Sequence, residues 1–466
     1  MNFGATSSNR ARGGIASTVS LAWPILFGSA AMAVLEFSER IFLGRYSESA
    51  LAASLPGSMM ASTFTVVLTS TIGYSSTFVA QFHGAGRMEN AASALFQGLW
   101  LAAFSTPLFL ALIPLGRLFV TLAGHAPVVQ NNEYTFFIFY VFVGIASTFS
   151  TVLGGYFSGQ GRTRLVGFAT AAGCGFALVL NPILIFALDL GIAGAGIAAV
   201  SAFALSAAIL AVRAARDPHV RNILGTKFAS FRPQLARRIL KFGLPIGISL
   251  LVGNGTFALF ISVFGRFGAE TLALGNACFA IHGLIFNVVC AIAAAALINV
   301  GQFAGRHDLS ALHRSIRSAI GLAVGVTLVF FALLLPFTGP VLSAFGFPPG
   351  DATFATGFLF LALMTARDTM ESIQQILTSG LRGVGDTRFV LATRLGVSGL
   401  IWTPLFLFAA HLNSPLLAWA SMPVAFAAHG SVLFLRYRSL RWTAIKLTEY
   451  ACLSRDGESI APRVGL

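Results

Sequence analysis

The hydrophobic positions of this chain form long runs separated by short polar stretches, unlike the striped pattern of helices in a soluble core. Apolar windows of about 20 residues or more follow one another, and each can span the roughly 30 Å of hydrocarbon in a bilayer. The pattern therefore predicts twelve membrane-spanning helices. We expect them at residues 16–43, 51–80, 91–114, 134–157, 165–188, 191–213, 238–265, 272–300, 312–335, 355–378, 389–411 and 415–435.

The first and seventh predicted spans contain matching sequences. PILFGSAAMAVLEFSERIFLGR begins at Pro24 and PIGISLLVGNGTFALFISVFGR begins at Pro245, an offset of 221 residues. Each copy of this repeat holds six spans, and an even number gives both copies the same orientation in the membrane. The sequence thus predicts an all-α polytopic membrane protein of two six-helix lobes related by a parallel internal repeat.

The domain organisation follows from the repeat and from one long polar connection that lies where the two copies should join. We expect a short cytoplasmic tail, an N-lobe, a cytoplasmic linker, a C-lobe and a basic cytoplasmic tail. Their predicted limits are 1–15, 16–213, 214–237, 238–435 and 436–466.

Composition agrees with a membrane protein, since 56% of residues are hydrophobic, 10% are charged and the mean hydropathy is +0.81. Soluble domains carry about a quarter charged residues. The net charge of +14 does not indicate a nucleic-acid partner, because most of the 30 Lys and Arg residues, Arg394 among them, fall in or near alternate connections. Such a bias marks the cytoplasmic side. It predicts a multi-pass protein of the cell inner membrane with both termini in the cytoplasm.

No enzyme signature occurs in the chain. It contains no phosphate-cradling loop, no H-E-x-x-H sequence and no nucleophile elbow, so we expect neither an enzyme nor a cofactor. The expected partners are the lipid bilayer and a small organic molecule, and the expected state is a monomer.

Charged residues inside the first predicted span are the main functional signal. Glu36, Glu39 and Arg40 lie three and four residues apart, so they share or adjoin one helix face. Each costs about 2.5 to 3.5 kcal/mol at the bilayer centre on insertion scales. The repeat places apolar residues at the same three positions of the seventh span: Phe257, Phe260 and Ile261. Because the second copy of the repeat lacks these charges, the fold does not require them. The three charged residues are therefore candidates for function.

Two interpretations of this first-span group remain open. A Glu36–Arg40 ion pair could be purely structural and neutralise itself. That pair would still leave Glu39 without a partner in the span, and a carboxyl in that situation suits a group that takes up and releases a proton.

The tenth predicted span has its own polar stripe, made of Arg367, Asp368, Glu371, Gln374 and Gln375. Spacings of three and four place these residues along one broad face. The corresponding positions of the fourth span carry no charge and are Ala146, Ser147 and Ser150. The stripe is either an Arg367–Glu371 pair that supports helix packing or a second site for ions or substrate. In the second case Asp368 and Glu371 would couple to an ion.

Two amides complete the candidate residues. Asn181 precedes Pro182 in the fifth span, where it could satisfy backbone groups freed by a kink or help to hold an ion. Asn254 in the seventh span joins Arg367, Gln374 and Gln375 as a candidate lining of a substrate cavity.

With these residues assembled, the chain resembles the multidrug and toxic compound extrusion (MATE) family. The resemblance covers residues 16–435 and rests on ERIFLGR, QFHGAGR, NPILIF followed by GIAGAGIAA, FGLPIG and SGLRGVGDTR. It implies a twelve-helix exporter that expels organic, often cationic, compounds in exchange for protons or sodium.

The resemblance also assigns roles to individual residues. The family's first-span acid matches Glu39 and its tenth-span acid matches Glu371. Two positions depart from the family pattern: the seventh-span carboxylate of the NorM-like branch falls at Gly253, and the fifth-span aspartate of the DinF-like branch falls at Asn181. The choice between proton and sodium coupling therefore stays open.

Three functions compete at this stage. The leading hypothesis is a cation-coupled antiporter in which Glu39, together with Glu36, takes up a proton from outside. A flippase for lipid-linked saccharides would need a cationic cavity, whereas Arg40 and Arg367 both lie beside carboxylates in the sequence. An intramembrane transferase would need a catalytic base near a sizeable polar loop, and the predicted outer loops are short.

Overall fold

The structure is a computed structural model that describes residues 13–347 and 352–445. Most of the two predicted tails lies outside the described residues. Helices account for nearly all of the described chain, and twelve of them correspond in order to the predicted spans. They are α1 (Ile15–Tyr46), α2 (Glu48–Gly84), α3 (Met88–Leu110), α4 (Pro127–Gly159), α5 (Thr163–Ala187), α6 (Gly191–Ala215), α7 (Pro233–Phe264), α8 (Ala269–Gly305), α9 (Leu309–Leu334), α10 (Ala352–Val384), α11 (Thr387–His411) and α12 (Pro415–Arg438).

Eleven of these helical stretches in the described residues are long and apolar enough to cross a membrane. The remaining one is α10, whose 33 residues include Arg367, Asp368 and Glu371. The predicted fold class is confirmed. The helices exceed the predicted spans at several ends, for example at Pro127 and Val384, because polar end turns continue the helix beyond the apolar run.

Three spans are interrupted at specific places. Tyr74 marks a break in α2 directly after Gly73. α5 contains a π-helical turn at Ile183–Ala187, after Pro182, and α11 contains one at Ser398–Trp402, before Pro404. Proline removes a backbone hydrogen bond, and single π turns are common at functional sites. The same span is therefore distorted in both copies of the repeat.

The chain divides into two compact units. The N-terminal unit comprises Trp23–Leu251 and Gly305–His307. Its division from the C-terminal unit falls inside α7 and not in the predicted linker at 214–237. The first half of α7 packs closely on α2, since a Cβ at Gly243 would lie 2.1 Å from the carbonyl oxygen of Thr71.

The C-terminal unit comprises Val252–Ala304 and Asp308–Ile445, together with the described residues up to Ala22. An aromatic cluster forms much of its core. Phe260 stands at the centre of this cluster, with ring centroids of Trp402 and Phe406 at 5.7 and 5.6 Å. Trp419 stacks on Phe360 at 4.5 Å and donates its indole N–H to the Phe360 carbonyl.

Each unit carries one ion pair between the connection after its fourth span and the end of its sixth. In the N-terminal unit Arg162 Nη1 lies 3.0 Å from Asp217 Oδ2, and in the C-terminal unit Arg436 Nε lies 2.7 Å from Asp386 Oδ2. The arginine and the aspartate have exchanged places between the copies. The repeat thus preserves the link while reversing its polarity.

Close packing of α5 on α6 leads to a first prediction. A Cβ at Gly173 would lie 2.2 Å from the Ala202 carbonyl oxygen, whereas one at Gly175 on the same helix would meet nothing within 4 Å. Gly173→Ala should therefore destabilise the protein by about 1–3 kcal/mol. Thermal unfolding of both variants in detergent checks this, with Gly175→Ala expected to match or exceed the wild type. Equal melting temperatures of the Gly173→Ala and Gly175→Ala variants would contradict the close packing of α5 on α6 at Gly173.

Candidate functional site

A cavity of about 260 Å³ lies within the N-terminal unit among α1, α2, α4 and α6. Its wall combines two carboxylates, several hydroxyls and apolar side chains. The lining residues are Met32, Leu35, Glu36, Glu39, Ser62, Thr65, Val66, Thr69, Tyr140, Val143, Gly144, Ser147, Ala199 and Phe203.

Glu39 is the buried carboxyl of this cavity. Its side chain is 4% exposed, and the Tyr140 hydroxyl from α4 donates a hydrogen bond to it. No ion pair within 4.0 Å involves Glu39 among the described residues. A carboxyl held by one neutral donor in low-dielectric surroundings can exist in either protonation state.

Glu36 and Arg40 lie in a different environment, because both residues are exposed. The structure contains no ion pair between them within 4.0 Å in its described residues. The Glu36–Arg40 ion pair that the structural interpretation requires is therefore not formed in the described structure. Glu36 instead shares the cavity wall with Glu39.

The repeat allows a direct comparison of the two units at the Glu39 position. Its counterpart Phe260 is 1% exposed and packs inside the aromatic cluster. Both units therefore bury this position, but one buries an aromatic ring and the other a carboxyl. The carboxyl cannot be explained as a requirement of the helix packing alone.

The charged residues of α10 form a compact cluster with α8 in the C-terminal unit. Arg367 Nη1 lies 2.7 Å from Asp368 Oδ1 and 3.1 Å from Glu371 Oε2. The same nitrogen lies 2.7 Å from Nδ1 of His282, a residue of α8. His282 Nδ1 is in turn 3.0 Å from Asp368 Oδ1. All four side chains lie largely inside the unit.

The Arg367 guanidinium occupies the place that a bound cation would take. The ligand atoms of His282, Asp368 and Glu371 lie within 4.8 Å of one another, which is compact enough to hold a metal ion. The guanidinium touches each of these groups, and its Cζ lies 4.7 Å from the centroid of the Phe426 ring. These two carboxylates thus have an internal counter-ion, which Glu39 lacks.

The predicted substrate-lining residues of the C-terminal unit are dispersed. Gln374 is buried and donates to the Thr378 hydroxyl on its own helix at 2.7 Å. Gln375 points to Cys290, with 3.8 Å between Nε2 and Sγ. Asn254 is exposed. Of this group, only Arg367 joins the charged cluster.

Asn181 is fully buried in α5, next to the π-helical turn. Neither its amide nitrogen nor its amide oxygen has a hydrogen-bond partner in the described structure. Buried amides are nearly always satisfied, so such a pair of orphaned atoms calls for a water or an ion. The geometry leaves Asn181 available to a ligand, although no hydrogen bond joins it to Glu39.

Sequence reasoning did not single out Tyr140 and His282, and it treated Arg394 only as a topology signal. Arg394 lies within α11, and a Cβ at Gly253 of α7 would be 3.1 Å from its Nη2. Its guanidinium therefore packs against α7 within the C-terminal unit. His282 could have been found in the sequence as a polar residue within the otherwise apolar eighth span.

Two stretches of the chain match one known protein family. A family model described as MatE matches residues 24–183 and 245–405. The two matches begin at Pro24 and Pro245, the prolines that start the repeated sequence. The repeat and the family match therefore divide the chain in the same way.

Curated relatives and a solved structure extend along most of the chain. "Probable multidrug resistance protein NorM" of Xylella fastidiosa (strain Temecula1) is 26% identical over 445 residues, covering 90% of this chain and 91% of its own length. The protein of the same description from Deinococcus radiodurans is 28% identical, covering 80% of this chain and 84% of its own. The structure described as "Crystal structure of MATE in complex with MaL6" superposes with a TM-score of 0.83 at 18% identity, covering 94% of this chain and 99% of its own.

Proposed function

The chain belongs to the MatE family, and from this premise we propose that it is a secondary active efflux transporter that exchanges organic compounds for protons or sodium. It is a multi-pass membrane protein and a transporter, not an enzyme. The proposal places it in the cell inner membrane with both termini in the cytoplasm, as the distribution of Lys and Arg predicts.

The observation that carries the proposal is the buried Glu39 carboxyl at the wall of the N-terminal cavity. It has no countercharge within 4.0 Å among the described residues and one neutral hydrogen-bond donor, Tyr140. An ion gradient can drive a conformational change only if the ion binds two states with different affinity. Glu39 meets this requirement if its surroundings differ between the inward and outward states.

The C-terminal acids are weaker candidates for coupling. Asp368 and Glu371 already share the Arg367 guanidinium, so an incoming cation would have to displace an internal one. Asn181, with both amide atoms unsatisfied, supports the N-terminal unit as the place where an ion or its water is held. We therefore assign coupling first to Glu39, with Glu36 and Asn181 assisting.

The composition of the same cavity supports a class of substrate. Two carboxylates and no basic side chain lie among its lining residues, and the rest of its wall is largely apolar. This favours an amphipathic organic cation. A volume of about 260 Å³ is just under the roughly 300–1,000 Å³ typical of ligand pockets, so it suits one part of a drug-sized molecule. A pyrophosphate-linked lipid would be repelled, which disfavours the flippase alternative.

Vesicle transport tests the coupling ion, and of the two candidate ions we propose the proton. We expect an imposed proton gradient to drive efflux of cationic dyes from proteoliposomes, and an equal sodium gradient at constant pH to be ineffective. A carboxyl with one hydroxyl neighbour can bind a proton unaided, whereas hard metal cations need several oxygen ligands. Transport driven by sodium alone would contradict proton coupling. Absence of dye transport under both gradients would contradict the proposed substrate class.

A further inference from the structure

A second cavity, of about 520 Å³, lies at one end of the C-terminal unit and has no part in the transport scheme above. It lies between the first three turns of α9 and the end of α12. Its lining residues are Ser310, His313, Arg314, Arg317, Ser318, Tyr437, Arg438 and Leu440. Its volume is in the range of about 300–1,000 Å³ that small-molecule pockets occupy.

The cavity has a strongly positive lining. Three arginines and a histidine contribute to it, and no carboxylate does. The five lining residues of α9 recur at spacings of three and four, so they project from one face of that helix. This face also begins at the helix N-terminus, where free backbone N–H groups add partial positive charge. The lining is therefore complementary to an anion.

The acid that directly precedes α9 is engaged at the helix end. Asp308 is the N-cap residue, and its Oδ1 accepts the backbone N–H of Ala311 at 3.0 Å and the hydroxyl of Ser310 at 2.9 Å. These hydrogen bonds hold the pKa of Asp308 below its usual value. Its charge therefore stabilises the cap and does not line the cavity.

Aromatic residues give the cavity a preformed wall. His313 Nδ1 and the Tyr437 hydroxyl are hydrogen-bonded across it. Leu440 turns the chain with a left-handed φ of +53°, and Trp442 folds back to donate its indole N–H to the Tyr437 carbonyl at 2.9 Å. The Trp442 and Tyr437 rings are parallel, with centroids 6.1 Å apart. Contacts within the chain therefore hold this wall in place.

The position of the cavity indicates the source of its anion. It lies where the apolar part of α9 begins and that of α12 ends, which is the level of lipid phosphates. Exposed apolar side chains continue from it along α12, including Phe434 at 44% and Leu435 at 66%. A soluble phosphate would need only the polar end of this surface. An anionic phospholipid would use both parts, with its acyl chains against the apolar side chains.

We propose that this cavity binds the phosphate headgroup of an anionic phospholipid, with Arg314, Arg317 and Arg438 as its charged contacts. The predicted topology puts the site in the cytoplasmic leaflet, where anionic lipids attract basic residues near the surface. The proposal does not depend on the transport cycle or on its coupling ion.

The test uses the full-length protein purified in detergent and thermal unfolding as the readout. Binding to the folded state raises the melting temperature in a saturable way. We expect phosphatidylglycerol to produce this rise, and phosphatidylcholine or inorganic phosphate to produce none. The variant Arg314→Gln/Arg317→Gln should bind phosphatidylglycerol roughly 30-fold more weakly, from the typical contribution of two basic residues.

A matched control removes the same charge elsewhere on the predicted cytoplasmic side. Arg213→Gln/Arg388→Gln changes two exposed arginines outside the cavity and should leave the phosphatidylglycerol titration as in the wild type. Arg438→Gln provides a third, independent variant should the cavity double variant fail to fold. An unchanged titration for a folded cavity variant would overturn the site. A rise with inorganic phosphate alone, lost in the cavity variant, would overturn the lipid assignment.

Discussion

Replacing Glu39 with glutamine is expected to reduce gradient-driven efflux to the level of protein-free liposomes while the protein stays folded. Glutamine has the size of the protonated carboxyl but cannot exchange a proton. In the wild type, protonation should lower substrate affinity, so binding should weaken as the pH falls through the titration of the carboxyl. Couplings of this kind typically change affinity by about 5–150-fold. Glu39→Gln should show the low affinity at every pH.

Two other substitutions separate this role from a general loss of charge. Glu48→Gln removes an exposed acid at the start of α2 and should leave both efflux and its pH dependence intact. Glu36→Gln removes the exposed carboxyl of the same cavity and should weaken cation binding while retaining pH dependence. Wild-type efflux by purified Glu39→Gln in proteoliposomes would exclude Glu39 as the coupling group.

Arg367→Gln is expected to be the most destabilising single charge removal in the C-terminal unit. The substitution leaves Asp368 and Glu371 buried without the guanidinium that contacts both at 2.7 and 3.1 Å. Removing one partner of a buried ion pair typically costs about 3–5 kcal/mol, because the remaining charge is uncompensated. Thermal unfolding in detergent should therefore show a marked fall in melting temperature.

A double substitution distinguishes this electrostatic cause from lost packing. Arg367→Gln/Glu371→Gln keeps the number of side-chain atoms close to that of the wild type and removes one charge of each sign. We expect it to recover a substantial part of the stability lost in Arg367→Gln, which a double-mutant cycle measures as a coupling energy. If the changes in unfolding free energy caused by the two substitutions were strictly additive, the Arg367 guanidinium would not stabilise the Glu371 carboxylate.

Much of the fold could be predicted from the sequence because the bilayer sets local requirements. A span must be long, apolar and helical, since its backbone groups can bond only to one another. The twelve spans were thus evident from the hydrophobic runs, and the repeat was evident from Pro24 and Pro245. The division between the compact units was not, because it depends on how tightly α7 packs against α2 at Gly243.

The candidate site was only partly predictable. The sequence located the intramembrane charges of the first and tenth spans and showed that the repeat does not duplicate them. It could not show that Tyr140 reaches Glu39 or that His282 joins Arg367, because these partners lie on other helices. Nor could it show that the Arg394 guanidinium lies against Gly253, a residue of another helix.

The sequence by itself determined that this is a polytopic helical membrane protein with an internal sequence repeat and three charges in its first span, because burial in lipid constrains each segment separately. Tertiary structure alone decided which of the intramembrane carboxylates, in the first and tenth spans, have a countercharge. The carboxylates of α10 have the guanidinium of Arg367, while Glu39 has only a tyrosine hydroxyl. That difference depends on distances of a few ångströms between helices, and electrostatic energy in a low dielectric changes steeply over such distances.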